Sequence, residues 1–206
     1  FIMLSRVNVA SRHIKRVQEL YPDATVVFDT VDLHFLRLER SARVANSTIL
    51  MKNAMDVKKN ELSLIAESHI TLVVSEFEKE LISKEVPEAQ VHIVSNVHKI
   101  LDSEFDFSKP ATARKGLIFV ASFRHHPNEE GIRWFLKEVW PLLREETRSD
   151  GLTIVGDSPP KWIRDLGDQN VSAVGWVPDS SVLVRNARIS IAPLLSGAGV
   201  KGKVGE

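Results

Sequence analysis

Short apolar runs of strand character alternate with stretches of helical period along the 206-residue chain, and this alternation constrains the fold more than any single motif does. A parallel strand pair needs a crossover long enough to hold a helix, so such a rhythm specifies βα units and an α/β class. The first half predicts strands near Phe1–Leu4, Ala24–Asp29, Thr71–Ser75 and Val91–Val94. Helices are expected near Val9–Leu20 and Glu76–Lys84. A longer amphipathic one is expected within Leu36–Ser68, its Arg, Lys and Glu side chains forming a solvated face. Between 98 and 116 both periods lapse into Asp, Ser, Lys, Pro and Ala, the composition of a linker. A second series then begins with the strand Leu117–Ala121. The turn Ser122–Asn128 leads into a helix over Glu129–Thr147, with Ile132, Phe135, Leu136, Val139 and Leu142 on one face. The strand Leu152–Val155, the turn Gly156–Pro160, a short helix to Leu166 and the strand Val171–Val174 follow. The turn Gly175–Asp179, a further short helix and the strand Ile189–Leu195 complete the series. Two domains are therefore expected, 1–97 and 117–206, joined by the linker 98–116.

Composition narrows the function. Lys plus Arg equals Asp plus Glu at 27 each, so no global field favours nucleic acid, and any anion site must be local. The absence of cysteine excludes disulfides, thiolate metal sites and cysteine nucleophiles, and is compatible with a cytoplasmic protein. No apolar run approaches the roughly 18 residues of a membrane span, and no signal peptide is visible. The chain starts at Phe1 inside a strand-like run and stops at Glu206 inside a glycine-rich segment. An internal fragment is expected, inactive in isolation.

That segment, Gly197-Ala-Gly-Val-Lys-Gly-Lys-Val-Gly-Glu206, follows an apolar strand, which is where α/β proteins bind phosphate. Glycines let backbone approach an anion, N–H groups at a helix start point at it, and Lys201 and Lys203 add charge. Gly197, Gly199 and Gly202 also spell the G-x-G-x-x-G of dinucleotide sites, which would make the chain an oxidoreductase. That reading needs a helix, a strand and an acid about 20 residues on. An ordinary βα turn is the third alternative.

Several segments together resemble the retaining glycosyltransferases of family 4, the group-1 type found in bacteria. They are Phe28-Asp-Thr-Val-Asp-Leu-His-Phe-Leu-Arg37, Val73–Leu81, Val91–Asn96, Phe119–Asn128, Ile154-Val-Gly156, Gly175–Asp179 and Ala192–Lys203. The resemblance implies a GT-B-like fold: two Rossmann-like domains with parallel sheets, the first binding the acceptor and the second the nucleotide sugar. Both would be incomplete here. Ser95 stands where the family commonly has proline, and Val97 where it has glycine.

Retaining transfer must stabilise an oxocarbenium ion and a departing diphosphate, which cations and backbone N–H groups can do without metal. The resemblance places Gly197, Ala198, Gly199, Lys201 and Lys203 at the diphosphate and Glu206 on the ribose hydroxyls. Ala198 occupies the place of the first glutamate of the family's Glu-x7-Glu pattern, so that acid is missing beside the donor sugar. Arg124 is a second cation for the diphosphate. Trp176 and Val177 are expected to shape the base pocket, whereas Trp134, Trp140 and Trp162 are packing residues. His125 and His126 are surface residues or ligand contacts on the turn after the first donor-domain strand.

Asp29, Asp32 and His34 follow a strand at the edge where open α/β sheets bind ligands. Asp32 and His34 either polarise an acceptor hydroxyl or contact the sugar. Alternatively Asp32 caps the next helix while Asp29 satisfies turn amides, with Arg37 ion-paired to one of them. The expected activity is hexosyl transfer to a glycan or lipid-linked acceptor in surface polysaccharide assembly. The expected setting is the cytoplasm, including the inner face of the membrane. No cofactor, metal or nucleic acid is expected. A non-catalytic nucleotide- or sugar-binding module of the same fold is the alternative that Ala198 keeps open.

Overall fold

The computed structural model describes residues 1–95, 113–167 and 170–196, which gather into two compact α/β units. The first draws on residues 1–95 and the second on residues 113–195.

In the first unit the elements run β1 (Ile2–Ser5), α1 (Val7–Leu20), β2 (Val26–Asp29), α2 (His34–Val44), α3 (Thr48–Glu67), β3 (Ile70–Val73), α4 (Glu76–Glu85) and β4 (Val91–Ile93). The strands form one parallel sheet in the order β1-β2-β3-β4, with Leu4 opposite Phe28 and Phe28 opposite Thr71. Helical spacing puts Val7, Ala10, Ile14 and Val17 on the face of α1 that meets the sheet, where they join Val26, Phe28, Phe35, Ile65 and Ile82 in the core. Burial of each large apolar side chain contributes about 1.5–3 kcal/mol.

The long helix expected within Leu36–Ser68 is two helices packed on each other. Asn46 takes a left-handed φ of 47°, and the Ser47 hydroxyl accepts the Leu50 N–H at 3.3 Å as the cap of α3. The apolar period runs through the break, so periodicity alone joins the two. Nor is the charged face wholly solvated, because Glu61 of α3 is fully buried.

The second unit contains β5 (Lys115–Val120), α5 (His126–Trp134), α6 (Glu145–Ser149), β6 (Leu152–Val155), α7 (Lys161–Arg164), β7 (Val171–Gly175), α8 (Ser181–Asn186) and β8 (Ala187–Ser190). Its parallel sheet has the order β7-β6-β5-β8, so the strand sequence reverses direction at β5. Strand β5 starts at Lys115, inside the segment expected to be linker. The helix expected over Glu129–Thr147 gives way to a π turn at Phe135–Val139 and a 3-10 turn at Trp140–Leu142. Pro141 has no N–H to continue the ladder. The distortion turns Leu142 out to 82% exposure while Ile132 and Phe135 stay buried. The last strand ends at Ser190 rather than Leu195, although Ile191 N still donates to Ile118 O at 2.9 Å.

Candidate functional site

A cavity of about 350 Å3 opens at the carboxyl ends of β5, β6 and β7, lined by Ser122, Asn128, Gly156, Asp157, Trp176 and Val177 among others. It lies beside the strand where the order reverses, the kind of position at which open α/β sheets bind ligands. Backbone proximity builds it. A Cβ on Gly156 would sit 1.6 Å from the Ala121 carbonyl oxygen, so only glycine lets the turn after β6 close against the end of β5. Gly156 N then donates to Gly175 O at 2.8 Å. A bulge in the β6–β7 pairing between Ile154 and Val155, followed by Gly175 at φ 80°, turns the chain so that Trp176 stands 68% exposed at the cavity. Nearby, α5 packs against the chain leading to the glycine-rich segment, where a Cβ on Gly131 would meet the Pro193 carbonyl oxygen at 2.1 Å.

The polar wall is also specific. Asn128 is buried, and its Nδ2 donates to Ser122 O at 2.8 Å, fixing the turn into α5. The Asp157 carbonyl accepts Phe123 N at 3.1 Å, while its carboxylate lies 3.0 Å from Arg124 Nε. A hydrogen bond from Ser122, then Arg124, holds that carboxyl below its ordinary range, so Asp157 is ionised at neutral pH. Arg124, exposed beside the cavity, also reaches Ser158 Oγ at 3.3 Å. The Arg124 guanidinium offsets the Asp157 charge, and the exposed indole of Trp176 offers a stacking face, so the cavity suits a planar ring.

Of the other aromatic and imidazole positions here, Trp140 is buried and His125 and His126 are exposed. Trp162 is clamped by Arg133, 4.1 Å from its ring, and donates from Nε1 to Glu129 at 2.9 Å.

The corresponding edge of the first unit is charged. Asp29 satisfies the turn after β2: Oδ2 accepts from Ser5 Oγ at 2.9 Å, Oδ1 from Val31 N at 3.1 Å, and its carbonyl from Arg6 N at 2.8 Å. Arg6 and Val31 both take left-handed φ values, 73° and 65°, which cost non-glycine residues about 1–3 kcal/mol each. Asp32 is not a helix cap. The N-cap of α2 is Leu33, with no side-chain cap bond, and Asp32 instead faces Arg37, Oδ2 to Nε 3.7 Å.

His34 Nδ1 faces a terminal guanidinium nitrogen of Arg37. Guanidinium only donates, so Nδ1 accepts and the ring proton sits on Nε2. Burial, then the Arg37 charge, lowers the His34 pKa, with Arg6 adding to the effect and Asp32 opposing it. At neutral pH His34 is thus an uncharged donor through Nε2, and Asp32 is the acceptor beside it.

Glu61 and Glu78 support this turn, and neither stood out in the sequence. Glu61 Oε1 accepts His34 N at 3.1 Å and Oε2 accepts Phe35 N at 2.9 Å, while Glu78 Oε1 accepts Leu33 N at 3.4 Å. Nothing local to Glu61 marks it, since it lies in the strongly charged stretch of α3. Asp157 was visible only as part of a turn after β6. Gly197, Ala198, Gly199, Lys201, Lys203 and Glu206 lie outside the described residues. Among the described residues no group of three or more His, Asp or Glu side chains is placed to hold a metal, and no helix is long and apolar enough to cross a membrane.

Comparison with known proteins bears on the second unit most directly. Residues 114–206 match the model of the family described as glycosyl transferases group 1. No curated protein matches the chain. Among solved structures, the fold is similar to sucrose-phosphate synthase from Thermosynechococcus elongatus, with a TM-score of 0.63 at 15% identity over 94% of this chain. It is also similar to TarM, with a TM-score of 0.54 at 11% identity over 95% of this chain. The chain spans 50% of the length of the former and 41% of the latter. The fold is accordingly α/β and GT-B-like, with parallel sheets.

Proposed function

We propose that the protein is a glycosyltransferase that moves a sugar from a nucleoside diphosphate sugar to a hydroxyl of a glycan or lipid-linked acceptor. In this reading transfer retains the anomeric configuration and needs no metal. The observation that carries it is the family match over residues 114–206, which takes in both the cavity and the glycine-rich segment. The base stacks at Trp176 and Val177. Gly197, Ala198, Gly199, Lys201 and Lys203 receive the diphosphate, with Arg124 as a further cation, and Glu206 takes the ribose.

In the first unit Asp32 accepts a hydrogen bond from a sugar or acceptor hydroxyl and His34 donates from Nε2 to an oxygen. Surface polysaccharide assembly at the cytoplasmic face of a membrane is the proposed setting. Exposed Val44, Ile49 and Leu50, near Arg43 and Lys52 around the α2–α3 turn, support peripheral attachment there.

The test is sugar-dependent release of nucleoside diphosphate by the full-length protein, across a panel of nucleotide sugars with glycan acceptors. Nuclear magnetic resonance assigns the anomer formed. Turnover with retention, severely reduced by Lys201→Ala while the fold persists, is expected; near-normal turnover in that variant would remove Lys201 from the diphosphate site. Ala198, where the family carries an acid, favours a second reading as a non-catalytic nucleotide- or sugar-binding module, which predicts nucleotide binding without turnover. A dinucleotide oxidoreductase leaves the match over residues 114–206 unexplained.

A further inference from the structure

Glu61 is a fully buried carboxylate contributed by α3 to the start of α2, a segment 26–27 residues earlier in the chain. Both of its oxygens are engaged by backbone N–H groups, one from His34 and one from Phe35. Glu78, buried on α4, accepts from Leu33 N and, at 3.3 Å, from Val74 N. Three consecutive amides at the start of α2 are thus held by carboxylates from two other helices.

A helix start is ordinarily satisfied by a local Ser, Thr, Asp or Asn, at far lower cost than burying a carboxylate. Asp32 is close enough in sequence to serve, yet its carboxylate faces Arg37. Capping from beneath by Glu61 has a consequence that a local cap lacks: it leaves Asp32 and the His34 ring available at the sheet edge.

We propose that Glu61 is a positioning residue for the proposed transfer reaction, fixing the backbone of His34 and Phe35 so that Asp32 and the Nε2–H of His34 are presented together to the sugar or acceptor. The proposal rests on the glycosyltransferase reading for what is presented, and on the two hydrogen bonds for how. Burial, the largest cause, pushes Glu61 up to about 7, with Asp32 and Glu78 adding to the rise and the Phe35 and His34 amides opposing it. The charged groups that act on it are Asp32 of the preceding turn and Glu78 of α4, beside the His34 and Phe35 amides of α2. Lys58, on Glu61's own helix, is engaged with Glu85 at 2.5 Å. Above about pH 7 both oxygens of Glu61 accept charge-assisted bonds; below it, protonation weakens the hold on one of the two amides.

The full-length protein with Glu61→Gln, Glu61→Asp and Glu61→Ala tests this by amide exchange and by transfer kinetics against pH. Glu61→Gln, which keeps one acceptor oxygen, is expected to speed exchange at one of the His34 and Phe35 amides about tenfold or more, the size of a lost bond to a charged acceptor. Exchange at Val31, held by Asp29, should not change. The same variant should lower kcat without raising KM for the donor and flatten the rise in rate through pH 7. Glu61→Asp should restore part of each effect, and it replaces Glu61→Gln should that variant not fold. Wild-type exchange and an unaltered pH profile in Glu61→Gln would overturn the proposal. A wild-type protein that transfers no sugar would overturn it too, together with the glycosyltransferase reading. Transfer by the wild type with unaltered exchange in the variant overturns the positioning role alone.

Discussion

The two units use the same architecture to make opposite kinds of edge. In the first, strand order follows the chain, and the described turn after β2 is pinned by Asp29, Glu61 and Glu78. Its groups are polar and held in place. In the second, the order reverses at β5 and the turns are closed by backbone packing at Gly156, leaving a cavity with an exposed indole. Turn chemistry decides what fills each edge: buried carboxylates fix polar side chains in the first unit, and a glycine contact leaves space for a ring in the second.

The comparison breaks most sharply at Gly156. Gly156→Ala forces a methyl to 1.6 Å from a backbone oxygen, so it should destabilise the second unit by about 3 kcal/mol or more, read from denaturant unfolding. Gly167→Ala, with no atom within 4 Å of its Cβ, is the control and should change stability by less than about 0.5 kcal/mol. A tolerated Gly156→Ala would mean the cavity is not built on that contact.

Trp176→Ala should come next, lowering nucleotide affinity about tenfold or more, the scale of a lost base–aromatic stack. Because the ring is 68% exposed, the melting temperature should hardly change. Parallel loss of affinity and stability would instead make Trp176 a packing residue.

In the first unit the effects are linked to pH. The folded protein raises the Glu61 pKa from 4.5 to about 7, so it binds a proton that the unfolded chain releases. Stability should therefore fall as pH rises from about 4.5 to about 7, and Glu61→Gln should remove that part of the slope in urea unfolding. His34 carries the smallest effect. Its lowered pKa means stability is lost as pH falls below 6.5 through the folded value, since the unfolded imidazole takes the proton first. Arg37→Gln should move that pKa part of the way back toward 6.5 in an imidazole titration. The recovery should be partial because burial, not Arg37, is the largest cause.

Sequence reading reached the class and the strands, because each follows from local pattern. It placed Asp32, Arg37 and His34 at one edge and predicted an ion pair with Arg37, which Asp32 makes. It read Asp32 as a candidate cap, and that failed because the cap arrives from Glu61 in another helix, a long-range contact with no local signature. It joined α2 to α3 because two polar residues, Asn46 and Ser47, break a helix without breaking an apolar period. Asp157 was seen only as a turn residue, its place in the cavity wall depending on how three strands end together.

The central claim is that the cavity between the ends of β5, β6 and β7 receives the base of a nucleotide donor. Calorimetric titration of a series of nucleoside diphosphates into the full-length protein and its Trp176→Ala variant tests it most directly. Saturable binding of at least one nucleotide, weakened in the variant with the fold intact, is the predicted result. No binding across the series, or binding that the variant leaves unchanged, would contradict it.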